Sequence, residues 1–210
     1  MVLMQELYFV RHGQTELNAA NRVQGGDIDS PLLEQSRIDA IKTGLALKNA
    51  SLSKIIASPQ LRAKETAQLI VSQLDSNPPL EEDALLKEFG YGEWEGKDIA
   101  QLRKKYPALF HQLRKEPHLY DPSIFGGETY PDLILRGTQS ILYHVKNNPE
   151  KNILFVGHSI TLTATILSLV GFPLEEIRSQ TPMENTSITR LIYNQNEFKL
   201  DQWNYIDHLQ

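Results

Sequence analysis

The stretch Tyr8–Asn18, YFVRHGQTELN, decides how this chain is read. It closes a short apolar run, Glu6 to Val10, of the length of a buried strand. The run stops on Arg11 and His12, two side chains that bind anions, and on Gly13, which lets backbone approach closely. Two other runs end in similar polar punctuation. KIIAS (54–58) passes into PQLR, and NILFVGHS (152–159) is the clearest strand pattern in the chain. Strands that alternate with helices imply a mostly parallel sheet with helices on both faces. Ligands of such sheets bind at the carboxyl ends of the strands. One sheet edge would then gather Arg11, His12, Arg62 and His158.

The intervening segments carry helical signals. GDIDSPLLEQ opens a helix on which Leu33, Ile38, Ile41 and Leu45 recur up to about Ala50. Ser58 suits the N-cap of the next helix and Pro59 its first position. Leu61, Ala63, Ala67, Ile70 and Leu74 supply much of that helix's apolar face. TLTATILSLVG reads as a helix ending at Gly171. SITRLIY and EFKLDQW flank NQN as an antiparallel hairpin or pair of edge strands. From Asp83 to about Pro131 there is no strong strand signal. There Asp98 suits the cap of a helix that Pro107 interrupts. The expected fold is therefore α/β, with a mostly parallel sheet, helices on both faces and one antiparallel edge strand near the C-terminus. It forms a single domain, 1–210, with a helical and loop insertion at about 97–131 over the sheet edge that bears the site.

Composition narrows the function. The 210 residues suffice for one sizeable core. A net charge of -5 argues against nucleic acid or an anionic membrane surface as partner. The lack of cysteine excludes disulfides, zinc ribbons and thiol nucleophiles. No basic region precedes the first apolar residues, and no apolar run would span a bilayer, so a cytoplasmic protein is expected. His111, His118, His144 and His208 show no metal-ligand spacing and are expected at the surface or in packing.

Two guanidiniums and two imidazoles at one edge form a cationic pocket in an acidic protein. Arginine binds phosphate bidentately and stays charged. The helix starts after Ser58 and after His158 would add backbone N–H donors and positive dipole ends. The natural guest is a phosphoryl group.

RHGQTELN resembles the signature of the histidine phosphatase superfamily, the phosphoglycerate mutase-like proteins. QGGDIDSPLLEQ, ASPQLRAKETA, LKEFGYGEWEG, GGETYPDLILR, VGHS and NTSITRLIY follow in the family's order, so the resemblance runs from about Glu6 to Tyr193. It implies that His12 is a nucleophile that becomes phosphohistidine, and that Arg11, Arg62 and His158 hold the transferring group. It makes Asn18 a phosphate-pocket residue, places Gln24 near the substrate mouth, and makes Glu88 the acid that protonates the leaving oxygen. Ser159 follows the second histidine where glycine is common. Ser36 likewise stands where glycine is usual, near a helix start.

The chemistry is coherent without the name. A histidine nucleophile needs one ring nitrogen free and the other donating to a fixed acceptor. Positioned cations stabilise the charge of phosphoryl transfer, so neither a metal nor another cofactor is expected. A carboxyl on a separate segment protonates the leaving oxygen and later takes a proton from water. The expected activity is a phosphatase on small phosphorylated metabolites. A 2,3-bisphosphoglycerate-dependent phosphoglycerate mutase is the alternative, and a non-catalytic phosphate-ligand binder the second. Against the mutase, Arg103, Lys104, Lys105, Arg114 and Lys115 read as a solvated helix face rather than a clamp. Tyr130 and Pro131 are expected to reshape the pocket mouth. Glu128 is either a loop ligand or a helix-start residue. The terminal edge strands leave a homodimer open.

Overall fold

The computed structural model describes residues 4–210. The first three residues of the amino-terminal segment that was read for a leader lie outside the described residues. The strands are β1 (Gln5–Arg11), β2 (Leu52–Ala57), β3 (Leu80–Glu82), β4 (Asn152–Gly157), β5 (Ile188–Asn194) and β6 (Glu197–Tyr205). They form one sheet in the order β3-β2-β4-β1-β5-β6. The first four are parallel, while β5 runs antiparallel to β1 and β6 antiparallel to β5. The antiparallel edge is the pair of strands read from SITRLIY and EFKLDQW. The three-residue β3 was not expected from the sequence; its LEE holds only one apolar residue.

Side chains of the central strands alternate between two cores, as the period of a strand requires. Tyr8 and Val10 of β1 pack with Leu154 and Val156 of β4 under α2 (Glu34–Ala46) and α3 (Leu61–Val71). Leu7, Phe9, Ile153 and Phe155 face the other way, toward α6 (Tyr130–Asn147) and α7 (Ser159–Leu169). Each such buried side chain is worth about 1.5–3 kcal/mol over its exposed state. β1 and β4 lie at the centre of the sheet, with a paired strand on each side.

α2 departs from expectation. Ile38 and Leu45 are 44% and 54% exposed, and the face turned inward is Ser36, Ala40, Thr43 and Gly44. These small residues recur at helical spacing and let α2 approach α3 closely; a Cβ on Gly44 would lie 2.7 Å from Ile70 O. α3 starts at Leu61, itself 68% exposed, with Gln60 as N-cap, so Ser58 and Pro59 precede the helix. α1 is a single turn, Glu16–Ala19.

The 97–131 segment contains α4 (Ile99–Lys105) and α5 (Pro107–Lys115). As read, Asp98 caps the first, and Pro107 separates them by opening the second. Leu102, Phe110 and Leu113 turn inward onto Trp94, Phe125 and Tyr130, forming a third core beside the sheet edge. Trp94 stacks on Phe125 at 4.2 Å between centroids.

Candidate active site

β1 and β4 pair in register up to Arg11 and Gly157, so the next residues, His12 and His158, emerge side by side. Their ring centroids are 5.0 Å apart. A cavity of about 230 Å3 opens there, walled by Arg11, His12, Asn18, Gln24, Glu88 and Ser159 among others. Its volume is below that of pockets for drug-sized ligands and suits a small metabolite.

His12 is buried, and its Nδ1 lies 2.7 Å from Gly13 O. A carbonyl only accepts, so Nδ1 carries the hydrogen and the lone pair of the neutral ring is on Nε2. Nε2 has no hydrogen-bond partner among the described residues. Burial first, then the charges of Arg62 and Arg11, hold His12 well below the ordinary histidine value. Gly13 is required by space: a Cβ there would meet Ser36 Cβ at 2.8 Å, while its N–H donates to Thr66 Oγ1. Ser36 is thus the residue that sets the close approach of α2 to the loop bearing His12.

His158 is fully buried, and its Nε2 lies 2.8 Å from Ser58 Oγ. Ser58 is therefore a neighbour of the site rather than the helix cap read from the sequence. Burial, then Arg62 and His12, also push His158 well below its ordinary value. Arg11 donates through Nη1 to Met183 O, and Asn185 Nδ2 donates to His12 O, so the 183–186 loop ties down the end of β1.

Arg62 is 1% exposed and lies behind the cavity wall rather than in it. It pairs with Asp29 at 3.0 Å and donates to Ile28 O and Gly25 O. Arg11 Nε, Arg62 Nε and His158 Nδ1 are buried without a partner. An unpaired buried N–H costs about 1–3 kcal/mol; of these three residues Arg11 lines the cavity, while Arg62 and His158 lie behind its wall.

Glu88 is buried at the cavity wall. Its Oε1 accepts the N–H groups of Phe89 at 2.8 Å and Thr161 at 3.1 Å, with Thr161 Oγ1 at 3.0 Å. Its Oε2 has only the Ile160 N–H, at 3.5 Å. Oε2 is thus the less engaged of the two oxygens. The helix starts serve these carboxylates rather than a free anion: Ile160 and Thr161 of α7 take Glu88, and Leu61 N of α3 donates to Asp29 Oδ2.

Asn18 Oδ1 accepts from Thr15 N in a capping box, and Gln24 accepts from Thr15 Oγ1 and donates to Ser30 Oγ. Both reach the cavity, as does Ser159, the first residue of α7. Glu128 is neither a cavity residue nor a helix cap; it pairs with Arg136, and Thr129 is the N-cap of α6. Tyr130 does not reach the mouth. It is fully buried, stacks on Phe89 and donates to Leu113 O, while Pro131 lies in the first turn of α6. Sequence reasoning missed Arg22, Tyr91, Arg114 and Arg178, which line the cavity. Arg114 is the correction that matters most, having been read as part of a solvated face. His144 packs inside against Asp83, and no three His, Cys, Asp or Glu side chains gather as metal ligands among the described residues.

A sequence profile of the histidine phosphatase superfamily (branch 1) matches residues 7–206. The chain belongs to the histidine phosphatase superfamily. Within it, the Salmonella paratyphi A protein named "Probable phosphoglycerate mutase GpmB" is 28% identical over 200 residues, covering 95% of this chain and 90% of that one. The structure of Bacillus stearothermophilus YhfR superposes with a TM-score of 0.91 at 30% identity, over 98% of this chain and 100% of that one. The mycobacterial glucosyl-3-phosphoglycerate phosphatase Rv2419c gives 0.87 at 25%, over 97% and 100%. A phosphatase-named and a mutase-named solved structure, the latter the phosphoglycerate mutase from Bacillus anthracis with a TM-score of 0.85 at 23% identity over 99% of this chain and 96% of that one, thus share this fold, and no described helix is long and apolar enough to cross a membrane.

Proposed function

We propose that the protein is a metal-independent phosphomonoesterase of small phosphorylated metabolites that works through phosphohistidine. The observation that carries this reading is the free Nε2 of a neutral, oriented His12 in one cavity with Arg11, whose Nε is unpaired, and the Glu88 carboxyl. A guanidinium and a carboxyl beside a neutral, oriented nucleophile fit a phosphoryl group. Nε2 attacks phosphorus in line, the bond to the leaving oxygen breaks, and the proton on Glu88 Oε2 passes to that oxygen. Arg11, Arg62 and His158 stabilise the equatorial oxygens. In the second half, Glu88 as carboxylate takes a proton from water that attacks the phosphohistidine, and inorganic phosphate leaves. The test is an alkaline quench of turnover on an alkyl phosphate. Base-stable, acid-labile phosphate on His12 is expected, and its loss together with turnover in His12→Ala. Wild-type turnover in that variant would sink the reading.

A second reading, the mutase, gains from Arg114 and Arg178. Both line the cavity, and neither has a hydrogen-bond or carboxylate partner among the described residues. Unpaired guanidiniums suit a second anionic group on the substrate.

A further inference from the structure

The segment that carries Glu88 is held from behind by one side chain. Arg136, on α6, donates through Nε to Glu128 Oε1 at 2.6 Å and through Nη2 to Glu128 Oε2 at 2.8 Å. Its Nη1 donates to Leu85 O at 2.7 Å and Lys87 O at 2.8 Å, and its Nη2 to Glu88 O at 3.2 Å. Every one of the guanidinium's five hydrogens therefore has an acceptor. Glu128 continues the clasp past Glu88: its Oε2 accepts from Gly90 N at 3.1 Å, and its own N–H donates to Gly90 O at 2.7 Å. Both side chains are largely buried. Neither reaches the cavity wall around His12.

We propose that Arg136 and Glu128 are positioning residues for Glu88, clasping the backbone on both sides of it so that Oε2 stays aimed at the leaving oxygen. The proposal rests on the reading of Glu88 as the proton donor. The chemistry asks for such a brace. Glu88 sits on a segment without regular structure, between a short 3-10 turn at Ala84–Leu86 and another at Gly92–Trp94. A carboxyl that must be placed to within a fraction of an ångström needs its backbone held. Only arginine presents five donors in a planar fork; lysine keeps the charge but offers three donors from one point. A charge effect and a clasp therefore separate experimentally.

The experiment compares kcat on an alkyl phosphate with kcat on 4-nitrophenyl phosphate, whose leaving group needs little protonation. Glu88→Gln sets the reference split. Arg136→Lys should slow the alkyl ester about 10- to 100-fold and leave 4-nitrophenyl phosphate within about threefold. Glu128→Gln should move in the same direction by less. Glu88→Gln combined with Arg136→Lys should show no split beyond Glu88→Gln alone, because the two act on one proton transfer. Thermal unfolding of each variant reports folding, and if Arg136→Lys does not fold, Glu128→Gln carries the test. Equal losses on both esters, a wild-type ratio in Arg136→Lys, or an additive double variant would overturn the proposal. If Glu88→Gln itself slows both esters equally, the proton-donor reading has failed and the clasp proposal falls with it; that outcome is visible in Glu88→Gln alone.

Discussion

The imidazoles of His12 and His158 lie 5.0 Å apart with their planes inclined at 59°, at the ends of two neighbouring parallel strands. Burial holds both well below the ordinary histidine value, and Arg62 adds to this in each case. The proposed nucleophile, His12, is therefore neutral at pH 7 and remains so on mild acidification.

This has a kinetic and a thermodynamic consequence. kcat/KM should show no histidine limb near the ordinary value of about 6.5. An unfolded chain protonates both histidines near that pH, whereas the folded one does not. Below about 6.5 the unfolded state binds more protons, so stability is full above that pH and declines as pH falls toward the folded values. The melting temperature should therefore drop from pH 7 to pH 5, and by less in His158→Gln. A melting temperature that rises on acidification would contradict the burial of neutral rings.

The two oxygens of Glu88 have unequal surroundings, which predicts a leaving-group effect. Glu88→Gln should slow alkyl phosphates by about 100-fold or more and 4-nitrophenyl phosphate far less. Thr161→Val removes the hydroxyl beside Oε1 and should give a smaller loss in the same sense, read from the slope of rate against leaving-group pKa.

Positive charge at and behind the cavity comes from the guanidiniums of Arg11 and Arg62. Chelators should leave the rate unchanged, and vanadate, which resembles the five-coordinate transition state, should inhibit tightly. Strict dependence on added magnesium would refute the metal-free assignment.

The free guanidiniums of Arg114 and Arg178 change what is expected of acidic substrates. Substituting both by methionine should lower kcat/KM for 3-phosphoglycerate by about 10- to 100-fold, chiefly through KM, with little change for 4-nitrophenyl phosphate. Following 2-phosphoglycerate and free phosphate together, with and without 2,3-bisphosphoglycerate, separates the two readings. Rapid bisphosphate-dependent isomerisation with little phosphate release would favour the mutase.

The parts of the site on strand ends were legible because strand register is local and periodic: RHG and VGHS name His12 and His158, and a parallel sheet brings them together. The helix faces were less so. Ile38 and Leu45 carry the hydrophobic signal of α2, yet its inward face is built of small residues whose role is close approach, which hydropathy does not report. Ser58 resembled a cap because its helix begins near it; its distance to His158 depends on β2 lying beside β4. Arg178 lies just beyond a 3-10 turn, among acidic neighbours, where no periodicity marks a side chain as inward. Arg136 was not singled out, since the carbonyls it binds are invisible in side-chain identity.

β1 and β4 occupy the middle of the sheet, flanked by strands on both sides, whereas α4 and α5 pack on an outlying aromatic core. Amide hydrogens at the ends of β1 and β4 should consequently exchange last, near the global unfolding limit, and those of α4 and α5 much sooner. On the proposed function, phosphoryl chemistry would then be mounted on the slowest-opening foldon, and leaving-group recognition on a fast one. Substitutions in α4 and α5 can then alter which ester is accepted while the phosphate-handling nitrogens keep their places.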